Sequence, residues 1–167
     1  MTILIKNQQR YKRLNRSRIE KTARKILALL EEPPVELSIL FIDNKEMKQM
    51  NASFRGMIKT TDVLSFPQLE SGDIKSNRQS RKGTWSQRDF TSSIVNRQYL
   101  LGDVVINVQK AASRANTPGS GLYDEIFRLL VHGVLHLLGY DHEKSRYGAA
   151  VMKKKEKELL SAIKKMG

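Results

Sequence analysis

The chain has 167 residues, 30 of them Lys or Arg and 17 Asp or Glu, with a net charge of +13 and no cysteine. That length fits one domain with its own hydrophobic core, and the lack of cysteine excludes disulfides and thiolate metal sites. The charge points to a polyanion partner, nucleic acid before an anionic membrane surface, and the absence of a signal-peptide core or a long apolar run predicts a soluble, cytoplasmic protein with no membrane role.

In chain order, Thr2–Asn7 alternates like a short strand. Asn15–Leu30 has the period of an amphipathic helix, with Ile19, Ala23, Ile26 and Leu30 on one stripe and Arg16, Lys21, Arg24 and Lys25 exposed. Pro33-Pro34 is expected to end it. Glu36–Ile42 is a compact apolar run and reads as a buried strand. Asp43 or Asn44 can cap a helix through Ser53, with Glu46 completing a capping box. Asp62–Phe66 and Leu101–Asn107 are further strands, and Val108–Ala115 is a short helix. Asn116–Gly121 is a turn-rich loop. Leu122–Leu138 is apolar nearly all round and marks a central buried helix. Glu143–Lys165 closes the chain as a charged amphipathic helix with Val151, Leu159, Leu160 and Ile163 among its apolar positions.

Residues 68–99 differ from the rest. They hold six Lys or Arg against three acids, one Trp85 and no clear period. A stretch of this kind between two strands reads as a polar, basic excursion, either mobile or lying over a cleft. The strands on either side can share a sheet, so 1–167 reads as one domain. Strands interleaved with helices give the α+β class, with a mixed four-stranded sheet packed on helices and a central metal-binding helix.

All three histidines of the chain fall within eleven residues, His132-Gly-Val-Leu-His136-Leu-Leu-Gly139-Tyr-Asp-His142. Imidazole is the commonest protein ligand for zinc-like metals. His132 and His136 are one turn apart and share a helix face. Gly139 can end the helix in a left-handed conformation and let His142 return to the same ion. The set predicts one divalent metal, zinc first and nickel or another divalent ion after it.

The spacing is that of the zincin-like frame H-E-x-x-H-x-x-G-x-x-H, in which the Glu is the general base of a peptidase. Gly133 stands in that place and cannot move a proton. A metal hydrolase acting on another bond is therefore favoured over peptide hydrolysis.

HGVLHLLGYDH resembles the H-G-x-L-H-L-x-G-Y-D-H signature of the YbeY family of bacterial rRNA maturation factors. The likeness extends, in the family's order, to Met50-Asn-Ala-Ser-Phe-Arg55, Thr61-Asp-Val-Leu-Ser-Phe-Pro67 and Leu101-Gly-Asp-Val-Val-Ile106. Thr60 stands where the family often has Pro, and 68–99 has no obvious match. The resemblance implies a single-strand-specific, metal-dependent endoribonuclease. It also implies action in 3′-end maturation of small-subunit (16S) rRNA and in ribosome quality control. RNA and the ribosome or small-subunit precursors would be the partners. By position, the resemblance implies His132, His136 and His142 as metal ligands and Arg55 as the catalytic residue near them.

The residues suit that chemistry. A three-His metal can provide a nucleophile near neutral pH, and Arg55 offers a permanently charged fork for phosphate. Asp62 and Asp141 are carboxylates able to orient a ligand imidazole, although capping of the turn after Gly139 is the better reading of Asp141. Ser65 has no base other than the ligand histidines, which argues against a serine nucleophile. Two other readings stand beside this one. The first is another three-His metal hydrolase, including a peptidase with its base elsewhere. The second is a ribosome-associated binding protein with a structural metal.

Overall fold

The computed structural model describes residues 1–68, 99–115, 121–142 and 145–165. The expected excursion, with Trp85, and most of the loop before Gly121 lie outside the described residues.

Alternation builds the sheet. In β2 (Val35–Ile42) the side chains of Val35, Leu37, Ile39 and Phe41 enter one core, while Leu40 and Ile42 turn to the other face. β4 (Tyr99–Asn107) repeats the pattern, with Val104 and Ile106 on the first face and Val105 on the second. Strands covered on both faces read as near-continuous apolar runs, as these two do. β1 (Thr2–Asn7) pairs in parallel with β2, and β2 in parallel with β4. β3 (Val63–Pro67) pairs antiparallel with β4, Ser65 opposite Val104. The order is β1-β2-β4-β3, so the expected mixed four-stranded sheet is present and β3 is an edge.

Five helices accompany the sheet among the described residues. α1 (Arg16–Leu29) begins at Asn15, whose side chain accepts from the Arg18 amide. It does not run to the prolines. Glu31 adopts φ 55°, and the amides of Glu31 and Glu32 bond Ala28 O and Leu27 O. A left-handed residue after the last turn has therefore already stopped the helix. α2 (Asn44–Arg55) starts at Asp43, which accepts from the Glu46 amide, and continues past Ser53 to Arg55. α3 (Val108–Arg114) is capped by Asn107. α4 (Leu122–Leu137) and α5 (Arg146–Lys164) complete the chain.

The helices divide between the two faces. α1, α4 and α5 share the larger core, to which Ile26, Leu129, Leu130, Val134, Met152 and Ile163 contribute. α2 alone covers the opposite face, packing Met47 with Ile42, Leu64 and Val105. A mixed sheet with helices packed on both faces gives the expected α+β class. Among the described residues, no helix is long and apolar enough to cross a membrane.

The buried Asn107 ties three segments together. Its Nδ2 donates to Asn44 Oδ1 at 2.8 Å, Thr60 Oγ1 at 3.0 Å and Thr61 O at 3.0 Å. Thr60 Oγ1 is thus one of three oxygens that face the two N–H of this buried amide.

Candidate metal centre

α4 presents His132 and His136 on one side because they are four residues apart on a helix held rigidly by burial of its other faces. The helix then stops abruptly. The Gly139 amide bonds His136 O at 2.9 Å and the Tyr140 amide bonds Leu135 O at 3.0 Å. These are the paired bonds of a Schellman turn, and Gly139 takes the left-handed φ of 78° that the turn needs. The reversal brings His142 back. The ring centroids stand 4.6 Å apart for His132 and His136, 5.3 Å for His132 and His142, and 5.0 Å for His136 and His142.

One ring nitrogen from each histidine lies within 4.8 Å of the others. Nε2 of His136 is 3.1 Å from Nε2 of His132. Two imidazole nitrogens at that distance can share one proton at most, and a third ring beside them adds another lone pair. A divalent cation satisfies all three, so the group could hold a metal ion. His132 and His136 are half-buried, whereas His142 is exposed and leaves the centre open to solvent.

Gly133 faces inward. A Cβ at that position would fall 2.6 Å from Cγ1 of Val104 and 3.2 Å from Oγ of Ser65. The position held by the peptidase base is therefore pressed against β4 and β3, where no longer side chain fits. Ser65 accordingly faces α4.

Asp62 is engaged by arginines, its Oδ2 facing two guanidinium groups. It takes Arg114 at 2.9 Å and lies 3.7 Å from Arg128. Arg128 forks onto Glu125 at 2.9 and 2.6 Å, and that hydrogen bond raises its pKa above the ordinary value. Asp141 is half-buried, and its carbonyl packs against Gly148 in the first turn of α5.

Among the described residues, Glu156 of α5 reaches the centre, with Oε1 2.6 Å from Nδ1 of His132. Burial pushes its pKa up. The hydrogen bond with His132 and the charges of His132, Arg128 and His142 outweigh that, and the carboxyl titrates below its ordinary value. Sequence reasoning missed Glu156. A signal existed, since it stands four residues after the buried Met152 and three before the buried Leu159.

Arg55 ends α2 and is exposed. Its neighbour Phe54 stacks edge-on against Phe66 of β3 at 5.0 Å between centroids. α2 and α4 cover opposite faces of the sheet, and the edge strand β3 runs at the border between them.

The positive charge is unevenly free. On α1, Arg24 bonds Glu20 and Met1 O, Lys25 donates to Ile163 O, and Arg18 lies over the Tyr123 ring. Lys25 is only half-exposed, contrary to expectation. Lys45, Lys48 and Lys59 line an open hollow of about 510 Å³ with Asn44, Ile58 and Thr60.

The family model for Endoribonuclease YbeY matches residues 4–164. A protein named Endoribonuclease YbeY from Leptospira interrogans is 40% identical over 134 residues, covering 80% of this chain and 91% of the relative. Relatives of the same name from a Sulfurihydrogenibium species and from Clostridium beijerinckii are 37% and 35% identical. They cover 90% and 96% of this chain and 84% and 96% of their own lengths. The solution structure of a Thermotoga maritima protein superposes with a TM-score of 0.59 at 20% identity, covering 97% of this chain and 89% of that one, a likeness of fold. With nearly the whole chain matched by one family and the three-His group at its centre, the chain belongs to the YbeY endoribonuclease family.

Proposed function

We propose that this protein is a metal-dependent endoribonuclease that cuts single-stranded RNA, with His132, His136 and His142 holding one divalent metal. The observation that carries the reading is the converged three-His group, open on the His142 side, in a chain of this family. Three protein ligands leave room for water and substrate, whereas structural zinc sites are closed by four. When bound, the metal supplies Lewis acidity and a nucleophile usable near neutral pH. Three imidazoles suit zinc first.

The chain's own residues do the rest. Arg55 meets the scissile phosphate, where a planar cation stabilises charge gathering on oxygen. An RNA strand lying along β3 would touch the α4 side and the α2 side together, which is how Arg55 and the imidazoles serve one phosphate. Lys45, Lys48 and Lys59 bind neighbouring phosphates as point charges. The basic segment 68–99 is a second candidate for that contact.

The substrate is 16S rRNA near its 3′ end. The protein acts in the cytoplasm on small-subunit precursors, in rRNA maturation and ribosome quality control. The family name and the net charge of +13 support this setting. The peptidase reading loses ground because Gly133 has no room for a base. The structural-metal reading loses ground because His142 is exposed.

The test is cleavage of one labelled RNA as a single strand and as a duplex. Cutting of the single strand alone, abolished by a chelator and restored by zinc, is expected. Cutting that survives complete metal removal would overturn the reading.

A further inference from the structure

His132 is held from both sides. Its Nδ1 lies 2.6 Å from Oε1 of Glu156, and its Nε2 lies 3.1 Å from Nε2 of His136. A neutral imidazole carries one proton, on one nitrogen or the other. An ionised carboxylate can only accept, so it draws that proton to Nδ1 and leaves the Nε2 lone pair facing the other two rings.

We propose that Glu156 is a positioning residue for the metal centre: it fixes His132 as the Nδ1–H tautomer and locks the ring at the angle that aims Nε2 at the ion. The proposal rests on the reading that the three histidines hold a metal, and it adds the group that readies one of them.

Glu156 is placed for this and for little else. It lies on the inner stripe of α5 with Met152, Leu159 and Ile163, all buried, and is itself only 23% exposed in its side chain. A carboxylate on an apolar stripe is retained only where it is paired. Its partner is a ligand imidazole on another helix rather than a lysine of its own. α5 is seated by Gly148, whose missing side chain lets the first turn press on the Asp141 carbonyl beside His142. One helix thus braces His132 through Glu156 and packs against the turn that carries His142.

A line of alternating charge backs Glu156. Arg128, one turn before His132 on α4, acts on it through its charge. Arg128 is fixed by Glu125 and lies near Asp62, which takes Arg114 from α3. Glu156 therefore lies in the field of a cation that Glu125 holds in place. Carboxylate–imidazole–metal arrangements of this kind raise ligand basicity and reduce the ordering required when metal binds.

The experiment uses the full chain and variants Glu156→Ala, Glu156→Gln and Glu156→Asp. Zinc affinity is measured by competition with a chromophoric chelator. The proton on His132 is located in the metal-free protein, above neutral pH, by long-range ¹H–¹⁵N correlation NMR. Wild type should show the Nδ1–H form of His132 and bind zinc. Glu156→Ala should bind about ten- to a hundredfold more weakly, with the tautomer shifted toward Nε2–H. Glu156→Gln should fall between, because its amide oxygen still accepts but carries no charge. Glu156→Asp should recover part of the loss if its shorter arm still reaches. Circular dichroism of each metal-free variant checks the fold, and the Gln variant decides the matter if the Ala variant does not fold. Unchanged affinity and an unchanged tautomer in folded variants would overturn the role of Glu156 while leaving the metal centre standing. A wild type that takes up no zinc would overturn both.

Discussion

Gly133 lies so close to Val104 that a Cβ on it would come within 2.6 Å of a methyl carbon of a fully buried valine. Helix α4 is thereby drawn tightly onto the sheet directly beneath the first metal-ligand candidate. Gly133→Ala should gain about 1 kcal/mol of helix propensity and lose about 1–3 kcal/mol to overpacking. A net loss of about 1 kcal/mol in denaturant unfolding is expected. Gly133→Glu, which restores the peptidase sequence, should unfold the region rather than confer peptidase activity. A folded Gly133→Glu protein that hydrolyses peptides would show that packing is not what excludes the base.

Gly139 makes a contrasting case. A Cβ there meets nothing within 4 Å, but the φ of 78° disfavours any side chain. Gly139→Ala should cost about 1–2 kcal/mol from backbone strain alone. Because the same turn returns His142, zinc affinity should fall with it. Gly139→Asn, which tolerates the left-handed region better, should recover part of both losses. Thermal unfolding and chelator competition read the two effects. An alanine variant as stable as wild type would mean that the turn relaxes without strain.

These two glycines illustrate what the sequence can convey. The helix stop at Gly139 and the convergence of three histidines follow from local spacing, and the structure brings the rings together as expected. The strand at Glu36–Ile42 was legible as a compact apolar run because both of its faces are covered, Leu37, Ile39 and Phe41 on one side and Leu40 and Ile42 on the other. That Gly133 is a contact point with Val104 follows only from the pairing of distant segments. Glu156 was hidden because a charged residue in a charged helix carries no mark of which face it takes. Met152 is not among the apolar positions read for α5 from the sequence, whereas the buried stripe runs through Met152, Leu159 and Ile163, with Val151 38% exposed. The arginine partners of Asp62 were not legible because Arg114 and Arg128 lie far along the chain and are supplied by the fold.

Association with RNA should weaken steeply as salt rises, because each phosphate contact releases counterions. Each single-strand phosphate contact adds about 0.7 to the slope of log affinity against log salt. Lys48→Ala should therefore flatten the slope by about that amount, as should Lys45→Ala, if the hollow they line binds the backbone. Substitution of Arg24, already paired with Glu20, should change it less. A titration series by fluorescence anisotropy gives the slopes. Equal slopes for all variants would move the footprint away from α2.

Arg55 should matter for turnover and little for metal content. Arg55→Ala should reduce cleavage of single-stranded RNA by about a hundredfold or more, the size of effect seen when one charge-stabilising donor is removed. Arg55→Lys keeps the charge without the fork and should retain part of the rate. Single-turnover cleavage with metal content measured on the same samples separates the two roles. Wild-type turnover by metal-loaded Arg55→Ala would remove Arg55 from the reaction.

The most direct measurement is zinc content and RNA cleavage on the same preparations of wild type and His136→Ala, with the metal-free fold checked for both. Wild type should carry about one ion per chain, as a single three-His site implies, and cut single-stranded RNA. His136→Ala should keep the fold, lose the ion and lose the cleavage together. A folded His136→Ala protein that cuts at the wild-type rate would contradict the assignment of the three-His centre to the reaction.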